Sequence, residues 1–389
     1  QSAPETYAAY ERAHAITESL APTRQSFQAL FGLRMAAAFR GDLRAATALG
    51  ERALALATDI GDEDLVLEAT LMVGNMEFWH GRLDEAIATV GRVRDAEVRT
   101  SHGDFVQQRR LTALFPLLLS QWLTTGDPGV IRAAEQGVDE ARALGHRLSE
   151  AIVIETAAFL AALSGDVPRA RRHATELLDL AESEPFPVYA RMARAVLGWA
   201  GATDGQFGER TDHVEQAGNA VRELAAMRVI LGQTLMECFH ADAALAAGDP
   251  ARAVQVTGSA LLLAERTGER GMTPLLHLLR ARASTGPARR DELDLARSLA
   301  SAMGQAHVMT LGDAVEHHGT GPQLRRVEDR RVRRGDQLCL VGAAKLGDAF
   351  LAGEHGESVD TIGGLIFNAL GRVPARGEVV QAIPGFEFH

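Results

Sequence analysis

The residues best suited to chemistry stand together in "DAVEHHG", where Asp313, Glu316, His317 and His318 follow closely on one another. Metal capture on a helix needs ligands on one face, usually at i and i+4. Adjacent histidines leave a helix in different directions, so no metal site is expected here. Nucleophilic catalysis would show as a GxSxG elbow, and none is present. Dinucleotide binding would show as GxGxxG after a strand, and "GTGPQL" holds only two of those glycines. His80 and His240 lie in segments of helical pattern and read as surface or satisfied core histidines rather than bases. Cys238 and Cys339 have no CxxC or Cys/His ligand spacing and read as reduced core thiols. No catalytic residue, metal or cofactor is therefore assigned. A net charge of −11 argues against a nucleic-acid partner, because phosphate contacts need a basic face.

The elements that would position any site repeat along the chain. A glycine, usually followed by Asp and then by Ala, occurs in "RGDLRAA" at Gly41, "HGRLDEA" at Gly81, "TGDPGVIRAA" at Gly126, "SGDVPRA" at Gly165, more weakly in "DGQFGE" at Gly205, and in "AGDPARA" at Gly248. The interval is about 40 residues. Before each glycine the apolar residues fall at helical spacing, as with Leu65, Ala69, Met72, Val73, Met76 and Trp79. After it comes an alanine-rich second helix. Several of these end at a further glycine, Gly61, Gly145 or Gly268, where a left-handed residue can close the last turn. Two helices per unit at this period predict an α-solenoid, since one pair cannot bury its apolar face alone.

Composition agrees with a helical core built from small residues. The chain of 389 residues is 46% apolar but only 5% aromatic, and alanine side chains let stacked helices approach closely. Of its 40 basic residues only Lys345 is a lysine, which leaves a surface of planar, bidentate-capable donors. No apolar run reaches the roughly 18 residues of a membrane helix, and the opening "QSAPETYAAYERAH" is too polar for a signal peptide. A cytoplasmic protein is expected, and a chain beginning at Gln1 is expected to be part of something longer.

The stretch "VGNMEFWHGRLDEAI" resembles the tetratricopeptide repeat, through Val73, Gly74, Asn75, Gly81, Leu83, Asp84, Glu85 and Ala86. The other units are looser and longer than the family's usual length of about 34 residues. Over roughly residues 5 to 305 the chain is similar to the degenerate repeat region that follows the ATPase module of LuxR-type and cyclase-linked bacterial signalling proteins. No phosphate-binding loop or helix-turn-helix accompanies it, so neither ATP hydrolysis nor DNA binding is implied. In tetratricopeptide arrays the first helix of each pair lines the concave face. That resemblance implies inward positions at Phe31, Met35 and Phe39, at Leu71, Asn75 and Trp79, at Glu155 and Phe159, at Trp199 and at Asp242. The ligand-binding candidates are Asn75, Trp79, Glu155, Phe159, Trp199 and Asp242, with the three polar members suited to gripping a backbone or a small polar ligand. The alternative for Trp79, Phe159 and Trp199 is that they are core.

Beyond residue 316 the composition shifts. Residues 317–335 form an arginine-rich linker, with six arginines between Arg325 and Asp336 against three acids. It could dock on an acidic surface, bind an anion, or simply be solvated. Residues 336–389 read as a small α+β module, with strands at "LCLV", "GEVVQAI" and "FEFH" and helices at "KLGDAFLAG" and "TIGGLIFNALG". It resembles the transporter-associated domain of CorC/HlyC proteins through Asp360, Thr361, Gly363, Gly364, Leu370, Gly371, Arg372, Pro374, Gly377 and Phe386. The expectation is a mainly α protein: a helical-repeat domain at 1–316, the linker, and an accessory module that packs on the last helices or pairs in a homodimer. Its expected function is non-catalytic recognition of a peptide, a protein partner or a small effector on the concave face, in bacterial signalling or regulation. The alternative is an enzyme with its site in the solenoid cavity or at the seam with the module.

Overall fold

The computed structural model describes residues 4–18, 22–96, 105–205, 209–318, 332–334, 337–339, 380–383 and 386–388. The chain divides into two compact units, Gln1–Leu324 and Arg325–His389.

The first unit is helical throughout its described residues. After α1 (Pro4–Glu18), successive helices pack as antiparallel pairs. These are α2 (Arg24–Phe39) with α3 (Leu43–Ile60), α4 (Glu63–His80) with α5 (Leu83–Asp95), and, after the short α6 (Phe105–Thr112), α7 (Leu114–Thr125) with α8 (Gly129–Leu144). They continue as α9 (Arg147–Leu163) with α10 (Val167–Ser183), α11 (Pro187–Asp204) with α12 (Arg210–Ala226), α13 (Gln233–Ala246) with α14 (Pro250–Thr267), and α15 (Thr273–Ala283) with α16 (Gly286–Ala302). The last helix is α17 (Ala306–His318). The expected helix pairs are therefore present, and they number more than the six glycine-marked turns suggest.

The Gly-Asp signature has a two-part physical cause. Gly41, Gly81, Gly126, Gly165 and Gly248 all adopt left-handed φ between 66° and 81°, which ends the first helix without a Cβ clash. The Asp that follows then caps the second helix: Asp42, Asp166 and Asp249 accept hydrogen bonds from the backbone N–H of Ala45, Arg169 and Arg252 at 3.0, 3.2 and 2.9 Å. Gly205 differs. It is extended, with φ −67° and ψ 162°, in keeping with its weaker motif.

How the pairs assemble departs from an open array. The inner helices α7, α9, α11, α13 and α15 pack each on the next, α15 packs on α17, and α17 packs back on α7. The row thus closes into a ring, with α8, α10, α12, α14 and α16 each paired to an inner helix. At the closure the Trp122 and His307 rings meet edge to face at 4.9 Å. Earlier pairs join the same seam. Phe39 O accepts from Ile230 N at 2.6 Å, and Trp79 O accepts from Arg270 N and Gly271 N at 2.8 and 3.1 Å. The carbonyls left over at the ends of α2 and α4 are thereby satisfied by loops on the far side of the sequence.

In the second unit the described residues form two antiparallel ladders. β1 (Val332–Arg334) pairs with β2 (Gln337–Cys339), and β3 (Val380–Ile383) pairs with β4 (Phe386–Phe388). β3 and β4 fall within the expected strand segments and β2 overlaps the start of a third, whereas β1 lies in the stretch read as linker. The two helices expected in this unit lie outside the described residues.

Candidate functional site

Five of the six residues expected to line a groove are buried in the first unit. Trp79, Glu155, Phe159, Trp199 and Asp242 are each 6% exposed or less. Asn75 is half-buried, and its Oδ1 accepts from Arg34 Nη2 at 2.9 Å. The side chains do point inward, but they meet one another. A string of rings crosses the interior: Trp79 to Phe115 at 5.8 Å, Phe115 to Phe159 at 6.4 Å, Phe159 to Phe239 at 5.5 Å and Phe239 to Trp199 at 6.4 Å. Phe115 and Phe239, which the sequence pattern did not single out, are the links that complete it. These contacts join neighbouring inner helices, except that Phe159 and Phe239 link α9 to α13 past α11.

The polar candidates are engaged internally as well. Asp242 accepts from Trp199 Nε1 at 2.9 Å and from Arg282 Nη1 at 2.7 Å, tying α11, α13 and α15 together in a buried ion pair. Arg282 has no counterpart among the sequence candidates. Glu155 has no ion pair among the described residues, and burial pushes its carboxyl up to about 8. Burial also raises Glu68 and Glu269 to about 7. Arg109 and Arg34 oppose the shift at Glu68, while the backbone N–H groups of Gly232 and Thr234 oppose it at Glu269. These three carboxyls sit on α4, on α9 and in the α14–α15 loop, and none lines either of the clefts described below.

The histidines are held similarly. His80 Nδ1 lies 3.2 Å from the Gly268 carbonyl and Nε2 lies 2.9 Å from Thr47 Oγ1, and its pKa is lowered, first by burial. His240 is buried with Nδ1 2.9 Å from Glu237 Oε2. Asp313 and Glu316 both engage Arg297, and the side chains of His317 and His318 lie outside the described residues. Cys238 is buried and free. Among the described residues no three His, Cys, Asp or Glu side chains gather as a metal would require, and no helix is long and apolar enough to cross a membrane.

Open space lies on the outside of the ring. A cleft of about 730 Å³ runs between α14 and α16, over α15. Leu261 and Leu262 form one wall, Leu299 and Met303 the other, and Leu262 is 64% exposed. Thr273, His277 and Arg280, spaced by four and three residues on one face of α15, line the floor. Glu292 of α16 holds two of them with a single carboxylate, Oε2 on His277 Nδ1 at 2.6 Å and Oε1 on Arg280 Nε at 3.1 Å. A second cleft, of about 410 Å³, opens on α11 and α12. It is lined mostly by charged and amide side chains, with Ala220 as its small apolar member.

The spacing of Thr273, His277 and Arg280 was readable in the sequence; that they share a cleft with Leu299 and Met303 of the α16 end was not. Compared with known proteins, the chain matches no family model and no curated protein sequence.

Proposed function

We propose that this chain is a non-catalytic, tetratricopeptide-like helical-repeat binding module that recognises a small effector or a short segment of a partner protein. The binding surface in this reading is the outer cleft between α14 and α16, while the inward faces of the first helices serve as core. One observation carries it: apolar side chains, including the 64%-exposed Leu262, line a cleft in whose floor His277 and Arg280 are held in place by Glu292. Pockets of this size with apolar walls and a few fixed polar groups are the usual form of ligand sites. The raised carboxyls do not favour an enzyme, because they are scattered through packed interior rather than gathered at a cleft. The second unit takes an accessory role, and a place in bacterial signalling rests on the sequence resemblance.

The amphiphilic dye 1-anilinonaphthalene-8-sulfonate tests the location. The wild-type protein is expected to bind it saturably and to lose most of the fluorescence gain in Leu262→Asp, a substitution at an exposed site that leaves the fold intact. Asn75→Ala is expected to bind as wild type does. Equal binding by Leu262→Asp, or loss confined to Asn75→Ala, would place the site elsewhere.

A further inference from the structure

Resting on the reading of the outer cleft as the binding site, we propose that its ligand is an amphiphilic carboxylate: one carboxyl group carried on a short unbranched or lightly branched apolar tail. The head of such a molecule is defined by what the floor leaves unused. Glu292 engages His277 through Nδ1 and Arg280 through Nε, which orients both side chains. The Nη groups of Arg280 and the Nε2 edge of His277 have no protein partner among the described residues. Arg270, exposed just before the N-terminus of α15, likewise makes no ion pair among the described residues, while Arg280 stands near the other end of that helix. A guanidinium fixed through its Nε presents its two Nη groups as a fork, the geometry that matches the two oxygens of a carboxylate.

Two guanidinium groups, Arg270 and Arg280, stand at the cleft beside two acids, Glu265 and Glu292, and Glu292 is already engaged by Arg280 Nε and His277 Nδ1. A cationic or neutral ligand would leave the free guanidinium groups without acceptors. The tail is defined by the walls, because Leu261, Leu262, Leu299 and Met303 offer flexible aliphatic surface and no hydrogen-bonding group.

Calorimetric titration of the full chain with sodium octanoate and sodium decanoate, each kept below its micelle concentration, tests the proposal. One saturable site is expected, with affinity rising about fourfold for each added methylene. Octyl glucoside and octyltrimethylammonium are expected to bind at least tenfold more weakly than octanoate. Arg280→Gln is expected to lose tenfold or more in octanoate affinity, and Arg270→Gln, at an exposed position with no fold to disturb, to lose a smaller factor. Circular dichroism of each variant confirms the helical content.

If octyl glucoside binds as tightly as octanoate and neither arginine variant matters, the cleft stands as a binding site but the carboxylate class is wrong. If octanoate binds equally well to wild type and to Leu262→Asp, both the class and the cleft are overturned. If neither carboxylate binds while an acidic peptide does so in a Leu262-dependent manner, the small-amphiphile proposal fails and the cleft belongs to a protein partner.

Discussion

Replacing Glu155 with glutamine is expected to stabilise the protein at alkaline pH and to do almost nothing at acid pH. Glu155 is 6% exposed on α9, and burial lifts its carboxyl from 4.5 to about 8. The folded state therefore keeps a proton that the unfolded chain releases above pH 4.5. Stability from this group is complete below pH 4.5, falls as pH rises, and is fully lost above about pH 8. At about 1.36 kcal/mol per pKa unit, the whole span sets an upper bound of about 5 kcal/mol, of which about 3 kcal/mol is lost by pH 7. Glutamine has the same shape and never ionises. Glu68 and Glu269, raised to about 7, act in the same direction, while His80, His173 and His307, lowered first by burial, act oppositely. All five are common to both proteins and cancel in the difference. Equilibrium urea unfolding of wild type and Glu155→Gln at pH 5 and pH 8 measures it. A stability difference that is the same at both pH values would refute the idea that Glu155 is a buried, proton-retaining core residue. It would return Glu155 to the candidates for a solvated site.

Three further outcomes follow from the packing. Gly271→Ala would place a Cβ 2.8 Å from the Phe78 carbonyl oxygen and force the seam apart, at a cost of about 1–3 kcal/mol in urea unfolding. Gly61→Ala, left-handed at φ 75° but with nothing within 4 Å, is expected to lose only about 1 kcal/mol. Asp242→Ala leaves Arg282 charged and unpaired in the interior and is expected to cost about 3–5 kcal/mol, whereas Asp242→Ala with Arg282→Met recovers most of it; thermal unfolding of the single and double variants checks this.

Much of the local structure was legible because its causes are local. A left-handed glycine followed by an Asp cap is written in two adjacent residues, and "RGDLRAA", "SGDVPRA" and "AGDPARA" each produce the turn that their chemistry requires. That Trp79 belongs to an apolar stripe was also legible from helical periodicity, whereas Phe159 and Trp199 were placed by the tetratricopeptide resemblance. What these side chains meet was not legible. Whether a row of helices stays open or closes depends on small rotations between successive pairs, and each rotation is set by the side-chain volumes at the contact. The sum over six inner helices decides the outcome, and no single repeat carries it.

The sequence by itself therefore determined the helices, their pairing, the turn chemistry and the faces that turn inward, because each depends on residues within a few positions of one another. Tertiary structure alone decided that α17 returns to α7 and that Trp79 O is capped by Arg270 N and Gly271 N. It also joined Asp242 to Arg282 and set Leu299 and Met303 opposite Leu261 and Leu262 across the floor of a cleft. Of these partners, Trp79 and Gly271 lie 192 positions apart along the chain (271 − 79). Their meeting depends on how volumes and curvatures accumulate around the ring, which no local pattern of residue types encodes.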